Sequence, residues 1–243
     1  MKTRLLPFLV LFAACSSQPE VAAAPPSPCA EQRFESAGFI VCTPTSASKL
    51  KLYAAATGEP AKREFRDLGI QPEKVAFAMN AGMFDEAGRP IGLAVVEGKR
   101  VHKIALRAGG GNFGMKPNGV FLVREDGGAE IVVSEEYGER ADVRLATQSG
   151  PMLLVGGKLH PQIKHDGESI NIRNAVGIGT GGRPLFVISA DPVSFGKLAR
   201  FFRDELKAKD ALYFDGSVSS LWDPANGRMD VFTDSGSIIV AEK

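Results

Sequence analysis

Short apolar runs bounded by turn residues constrain this chain more than any other feature. They read "FIVCTP", "KLKLYAA", "KVAFAMN", "GLAVVEGKRVHKI", "GVFLVREDGGAEIVV", "PMLLVGGKLH", "AVGIGTGGRPLFVIS", "ALYFDG" and "DVFTDSGSIIVAEK". Runs of this length, with Gly, Pro, Asn and Asp between them, are strand signals. Glu97-Gly98, Asp126-Gly127, Gly156-Gly157 and Ser235-Gly236 sit between paired runs and predict hairpins. Helical periodicity is confined to Pro60–Leu68 and Ser194–Leu206. The second segment places Phe195, Leu198, Ala199, Phe202 and Leu206 on one face, with Ser194 as the cap. The pattern predicts an α+β single domain, with a mixed, largely antiparallel β-sheet core and a few packed helices.

The folded part does not begin at residue 1. Lys2 and Arg4 precede an apolar stretch, Leu5 to Phe12, too short to span a bilayer; Ala13-Ala14 and then Cys15 follow. "LFAAC" resembles a bacterial lipoprotein signal, in which the cysteine becomes the lipidated first residue of the exported chain. Residues 1–15 are therefore expected to be a signal segment ending at lipidated Cys15. Residues 16–28, Pro-, Ala- and Ser-rich without apolar period, are expected to be a tether reaching about 20 Å. The domain is expected to occupy residues 29–243, in the cell envelope, on a membrane facing the periplasm or the exterior. An oxidising compartment permits Cys29 and Cys42 to pair as a disulfide; two buried free thiols are the alternative.

A net charge of +1 and the absence of a basic stripe interleaved with aromatics give no footprint for nucleic acid. The three histidines, His102, His160 and His165, form no HExxH or HxH pair. "GIGTGG" satisfies G-x-G-x-x-G but leads into the run "PLFVIS" rather than a helix, so it reads as a turn. Neither a G-x-S-x-G elbow nor a P-loop occurs. No cofactor is identified. Asp191 and Asp215 have the chemistry to hold a divalent cation, but no spacing demands a metal.

Polar residues recur where the apolar runs stop. "FAMNAGMF" ends a run on Asn80, with Gly82 leaving room for a close approach. "ATQSGPMLL" places Gln148 and Ser149 before a Gly-Pro turn, and "INIRNAVGIG" sets Arg173 and Asn174 at the mouth of a strand. "FVISADP" ends on Ser189 and Asp191, and "LYFDGSVSSLW" on Asp215, followed by Gly216, Ser217 and Ser219. Each alone is a turn candidate. Together they suggest one cleft lined by groups that bind a phosphate or a sugar.

"MNAGMF", "KPNGVF", "ATQSGPML", "RNAVGI" and "YFDGSVSSLW" resemble, in order, the signature blocks of the phosphodiester glycosidase domain family, from about Phe34 to the C-terminus. Bacterial envelope members of unassigned substrate read most similarly. Ala81, Met83 and the Ser217-Val218 pair depart from the enzyme branch, where NGGFF and a DGGGS-like block are more usual. The resemblance implies hydrolysis of the bond between a sugar C1 and a phosphodiester oxygen. It also implies Asp215 as the carboxylate acting on water or on an oxocarbenium-like centre, Arg173 as a fork for the phosphate, and Asp191 as a second acid. Asn80, Gly82, Gln148, Ser149, Asn174, Gly216, Ser217 and Ser219 would contact the carbohydrate phosphodiester. Two alternatives stay open. Arg173 and Asp215 can instead form a buried ion pair bracing two strands, and the chain can be a non-catalytic carbohydrate-binding or envelope-assembly lipoprotein on the same fold.

Overall fold

The structure, a computed structural model, describes residues 26–107, 109–231 and 234–243. The expected signal segment with Cys15, and the tether as far as residue 25, lie outside the described residues. The last tether residues are already docked. Ser27 donates to both carboxylate oxygens of Asp223, and Pro28 accepts from the Thr43 N–H, so tertiary contacts begin slightly ahead of Cys29.

Strands β1 (Cys29–Phe34) and β2 (Ala37–Cys42) form the first hairpin, followed by β3 (Leu50–Tyr53) and β4 (Val75–Asn80). Next come β5 (Ala94–Val96), β6 (Lys99–His102), β7 (Gly119–Arg124), β8 (Ala129–Val133) and β9 (Val143–Ser149). Then follow β10 (Met152–Val155), β11 (Lys158–Leu159), β12 (Asn174–Ile178) and β13 (Pro184–Ser189). After the helix α1 (Phe195–Arg200) the chain closes with β14 (Asp210–Tyr213), β15 (Leu221–Asp223), β16 (Arg228–Met229) and β17 (Ile238–Glu242). Three sheets result: β1-β2-β13-β12-β14-β10-β11, β16-β15-β4-β17-β3 and β6-β5-β9-β7-β8.

The three sheets meet on Phe186 of β13 in the first sheet. Its ring centroid lies 5.4 Å from Phe77 of β4, 5.7 Å from Phe121 of β7 and 6.4 Å from Phe214 beyond β14. All four rings are fully buried. Strand β4 shows why alternation is absent from "KVAFAMN". All six of its residues are buried, Phe77 and Met79 facing this cluster while Val75 and Ala78 face Trp222 and Ile238. The disulfide forms: Cys29 and Cys42 are register partners across β1 and β2, and are joined.

Several expectations are corrected. Every strand pairing among the described residues is antiparallel, so the sheets are not mixed. The helical content is thin. Ser194 caps α1, accepting from the Lys197 N–H, but after Arg200 the helix relaxes into one π-helical turn, Phe201–Glu205. Pro60–Leu68 yields only a 3-10 turn at Phe65–Leu68, because the Asp67 carboxylate captures the N–H groups of Arg63 and Glu64, and the Arg63 carbonyl accepts from Ser235. Local capping and a tertiary bond thus replace the helical ladder. Ser235-Gly236 does not turn a hairpin either, since β17 pairs with β4 and β3. No helix among the described residues is long and apolar enough to cross a membrane.

Candidate active site

Strands β4 and β12 end side by side, and their terminal asparagines join the first sheet to the second. Asn174 Nδ2 donates to the Asn80 backbone carbonyl at 2.9 Å and to Asn80 Oδ1 at 2.8 Å. Asn80 Oδ1 also accepts from the Ser220 N–H at 2.9 Å, and Asn80 Nδ2 donates to the Asp215 carbonyl at 2.8 Å. Ser219 Oγ lies 3.3 Å from Asn174 Oδ1 and 3.2 Å from the carbonyls of Ile172 and Gly216. Both asparagines are buried, where an unpaired amide would cost about 1–3 kcal/mol. The segment 215–220 is therefore held from both of its ends.

Asp215 is half-buried where this segment leaves β14. Its N–H donates to the Ala81 carbonyl, and its Oδ1 accepts from the Ser217 N–H at 3.2 Å. Burial pushes the carboxyl above the ordinary aspartate range, while Ser217, through N–H and hydroxyl, pulls it part of the way back. Gly216 packs on the Tyr213 hydroxyl so closely that an added Cβ would overlap it. A hollow of about 410 Å³ is lined by Asn171, Ile172, Gly216, Ser217, Ser219, Ser220, Arg228 and Asp230, and Asp215 adjoins it in the chain through Gly216. Ile170 and Val231, two exposed apolar side chains, are chain neighbours of its rim residues Asn171 and Asp230.

Arg173 sits behind this wall and does not reach Asp215, so the brace between them is absent. Its Nε donates to the Val193 carbonyl at 2.8 Å, Nη1 to the Tyr213 hydroxyl at 3.2 Å, and Nη2 to the Ser169 carbonyl at 3.0 Å and Ser169 Oγ at 3.2 Å. The guanidinium stacks on Phe195, 3.8 Å from the ring centroid, and is only 2% exposed. Burial pulls its pKa below the ordinary arginine value, with Tyr213 opposing, yet an arginine starts high enough to stay charged. No carboxylate pairs with it among the described residues. It is a buried cation stabilised by carbonyls and a ring face, and its fork is spent on the protein.

The remaining expected residues divide. Gly82 approaches β9 so closely that an added Cβ would overlap Thr147 Oγ1 and stand 2.6 Å from the Gln148 carbonyl. Gln148 is buried and saturated. Its Oε1 accepts from Leu93 and Ala105 N–H groups, and its Nε2 donates to the Ala105 carbonyl and Ser134 Oγ. It braces the backbone around β5 and has no bond left for a sugar. Ser149 is fully buried and its Oγ has no partner among the described residues. Asp191 is exposed and accepts from the Gly38 N–H at 2.7 Å in the first hairpin; it shares no hydrogen bond with the Asn80–Asp215 cluster. Among the described residues, no group of three or more His, Cys, Asp and Glu gathers around a point.

The sequence model of the phosphodiester glycosidase family matches residues 73–235. The uncharacterized protein YigE of Escherichia coli (strain K12) is 35% identical over 149 residues, 61% of this chain and 58% of that protein, so the match spans little more than half of this relative's length. Among solved structures, the catalytic domain of zebrafish N-acetylglucosamine-1-phosphodiester alpha-N-acetylglucosaminidase, auto-inhibited by its pro-peptide, superposes with a TM-score of 0.63 at 14% identity. That superposition covers 88% of this chain and 81% of that one. A Burkholderia pseudomallei K96243 protein thought to be exported superposes with a TM-score of 0.52 at 12% identity, over 85% of this chain and 73% of that one. At such identities these likenesses describe a shared fold.

Proposed function

This chain belongs to the phosphodiester glycosidase family, and from that premise we propose that it is a hydrolase cleaving the bond between a sugar C1 and a phosphodiester oxygen. One observation carries the reading. The Asp215 carboxyl, raised by burial and bonded to the Ser217 N–H, directly precedes Gly216 and Ser217, which line a polar hollow of about 410 Å³. Water adds to C1, its proton passes to Asp215, and the C1–O electron pair departs on a phosphate monoester. That leaving group is already a stable anion, so one carboxylate suffices where ordinary glycosidases need two. Ser217, Ser219 and Asn171 face the same hollow and supply hydroxyl and amide partners for the substrate. Arg173 acts from behind, holding Tyr213 and through it Gly216. Asp191 would serve only as an outlying acid.

The substrate class is a glycosyl phosphodiester of an envelope glycopolymer or glycolipid. Supporting that place are the lipoprotein-like N-terminus and a disulfide in the fold. Cys15→Ala should move the protein from the membrane pellet to the soluble exported fraction; an unchanged pellet would remove the anchor. A second reading, carbohydrate binding without turnover, is favoured by the committed fork of Arg173 and by the engagement of Asp191 with the Gly38 N–H in the first hairpin. Incubating the purified chain with a panel of aryl and sugar phosphodiesters, with phosphate monoester release measured, separates the two. Release supports the hydrolase; binding without release supports the second reading.

A further inference from the structure

We propose that Arg228, and not Arg173, is the cation that meets the substrate phosphate, an assignment that rests on the hydrolase reading above. Arg173 is buried and its donors are bonded to Val193, Ser169 and Tyr213, so a phosphate cannot reach its fork without dismantling the wall. Arg228 is placed differently. It lies on β16, its side chain about one-third exposed, on the rim of the hollow that Ser217 and Ser219 line. One edge of its guanidinium is fixed: Nε lies 3.0 Å from Asp230 Oδ1 and Nη2 lies 2.7 Å from Asp230 Oδ2. Asp230 is itself held, accepting from the Leu221 N–H at 2.9 Å. Nη1 has no acceptor among the described residues, so the other edge is oriented and available.

A neighbouring hollow decides on which side an anion would sit. Arg228 also borders a cavity of about 420 Å³ whose lining includes Glu31 and Asp223, and two carboxylates there oppose an anionic guest. The hollow on the Asp215 side offers hydroxyls and an amide with Arg228, and its one other charged lining group, Asp230, is already spent on that arginine. The phosphate of a diester therefore belongs between Arg228 and the serines, leaving the sugar towards Asp215. Residues 228 and 230 project to the same side of an extended segment, which is what lets one carboxylate aim the guanidinium.

The test is isothermal titration with a panel of hexose 1-(methyl phosphate) diesters and, as uncharged twins, the corresponding methyl hexosides. The wild-type protein should bind a diester more tightly than its twin. Arg228→Gln, neutral but still able to donate to Asp230, should lose about tenfold or more in diester affinity and leave hexoside affinity unchanged. A folded Arg228→Gln protein with wild-type diester affinity overturns the assignment while the hydrolase reading stands. A wild-type protein that does not distinguish diester from hexoside overturns both. Should the glutamine variant fail to fold, Arg228→Lys decides: it keeps the charge but loses the planar edge, so its diester affinity should fall several-fold, and an unchanged affinity would sink the proposal.

Discussion

Asn174 binds Asn80 twice with one amide, at the backbone carbonyl and at the side-chain oxygen, and so closes the seam between the first and second sheets. Two further contacts of the 215–220 segment meet at that seam. Asn80 Oδ1 is shared by the Asn174 amide and the Ser220 N–H, and Asn80 Nδ2 takes the Asp215 carbonyl.

Removing either asparagine should destabilise the fold and do so non-additively. Asn174→Ala is expected to cost about 1–3 kcal/mol, and Asn80→Ala more, since it also abandons Ser220 and Asp215. The double variant should fall short of the sum by about 0.5 kcal/mol or more in urea unfolding. Strict additivity would mean the two residues act separately.

For Asp215→Asn, turnover and stability should move apart. A carboxyl whose folded pKa is raised contributes stability that is complete below its ordinary value of 3.8 and is lost as pH climbs through the raised one. At neutral pH its charge is a cost, so the asparagine variant should melt no lower than wild type while kcat drops by roughly 10²-fold. The acid limb of the wild-type rate profile should lie above the ordinary aspartate range. Wild-type turnover in folded Asp215→Asn would remove the carboxylate from the mechanism.

His160 gives the fold a pH dependence of the opposite direction. It is buried, its Nδ1 accepts from the Gln162 N–H at 3.1 Å, and burial lowers its pKa from 6.5. The neutral form is the folded form, so its stability contribution is complete above 6.5 and is lost as pH falls below that value, at up to about 1.4 kcal/mol per pH unit. Denaturation midpoints at pH 7.5 and 5.5 should therefore differ more for wild type than for His160→Gln. Equal differences would exclude this histidine as the source.

The disulfide makes a simple forecast. Cys29→Ser and Cys42→Ser should each lower stability by about 3 kcal/mol for a loop of this size, with no further loss in the double variant, as thermal unfolding under matched conditions would record. Additive losses would contradict a single shared bond.

The clustering of these residues was legible because apolar runs stop on polar residues: Asn80 ends β4, Asn174 begins β12, Asp215 follows β14 by two residues, and the fold brings the three together. Gln148 carried the same signal and turned inward instead, because the partners that saturate it, Leu93, Ala105 and Ser134, come from remote parts of the chain. Arg173 was placed correctly along the chain but its bonds were not foreseeable, since they go to backbone carbonyls and a hydroxyl distant in sequence. Arg228 and Asp230 lie in "DPANGRMD", where no apolar run stops and so no strand-end signal marks them. Their spacing of two, with Arg228 on β16 and Asp230 just beyond it, was the available signal. The mixed sheet failed because apolar runs that are buried on both faces look alike whether their neighbours run parallel or antiparallel.

Gly216 and Tyr213 form a lock with an evolutionary reading. Because the Tyr213 hydroxyl occupies the space that any Cβ at position 216 would need, a side chain there becomes tolerable only once position 213 loses its hydroxyl or shrinks. The two positions should therefore covary among relatives, and a library randomised at 216 alone should return glycine even when selected for folding without activity. An unchanging glycine beside the aspartate would then record the fit of a phenol against the backbone, and its persistence would be no measure of whether a given relative still turns over a substrate.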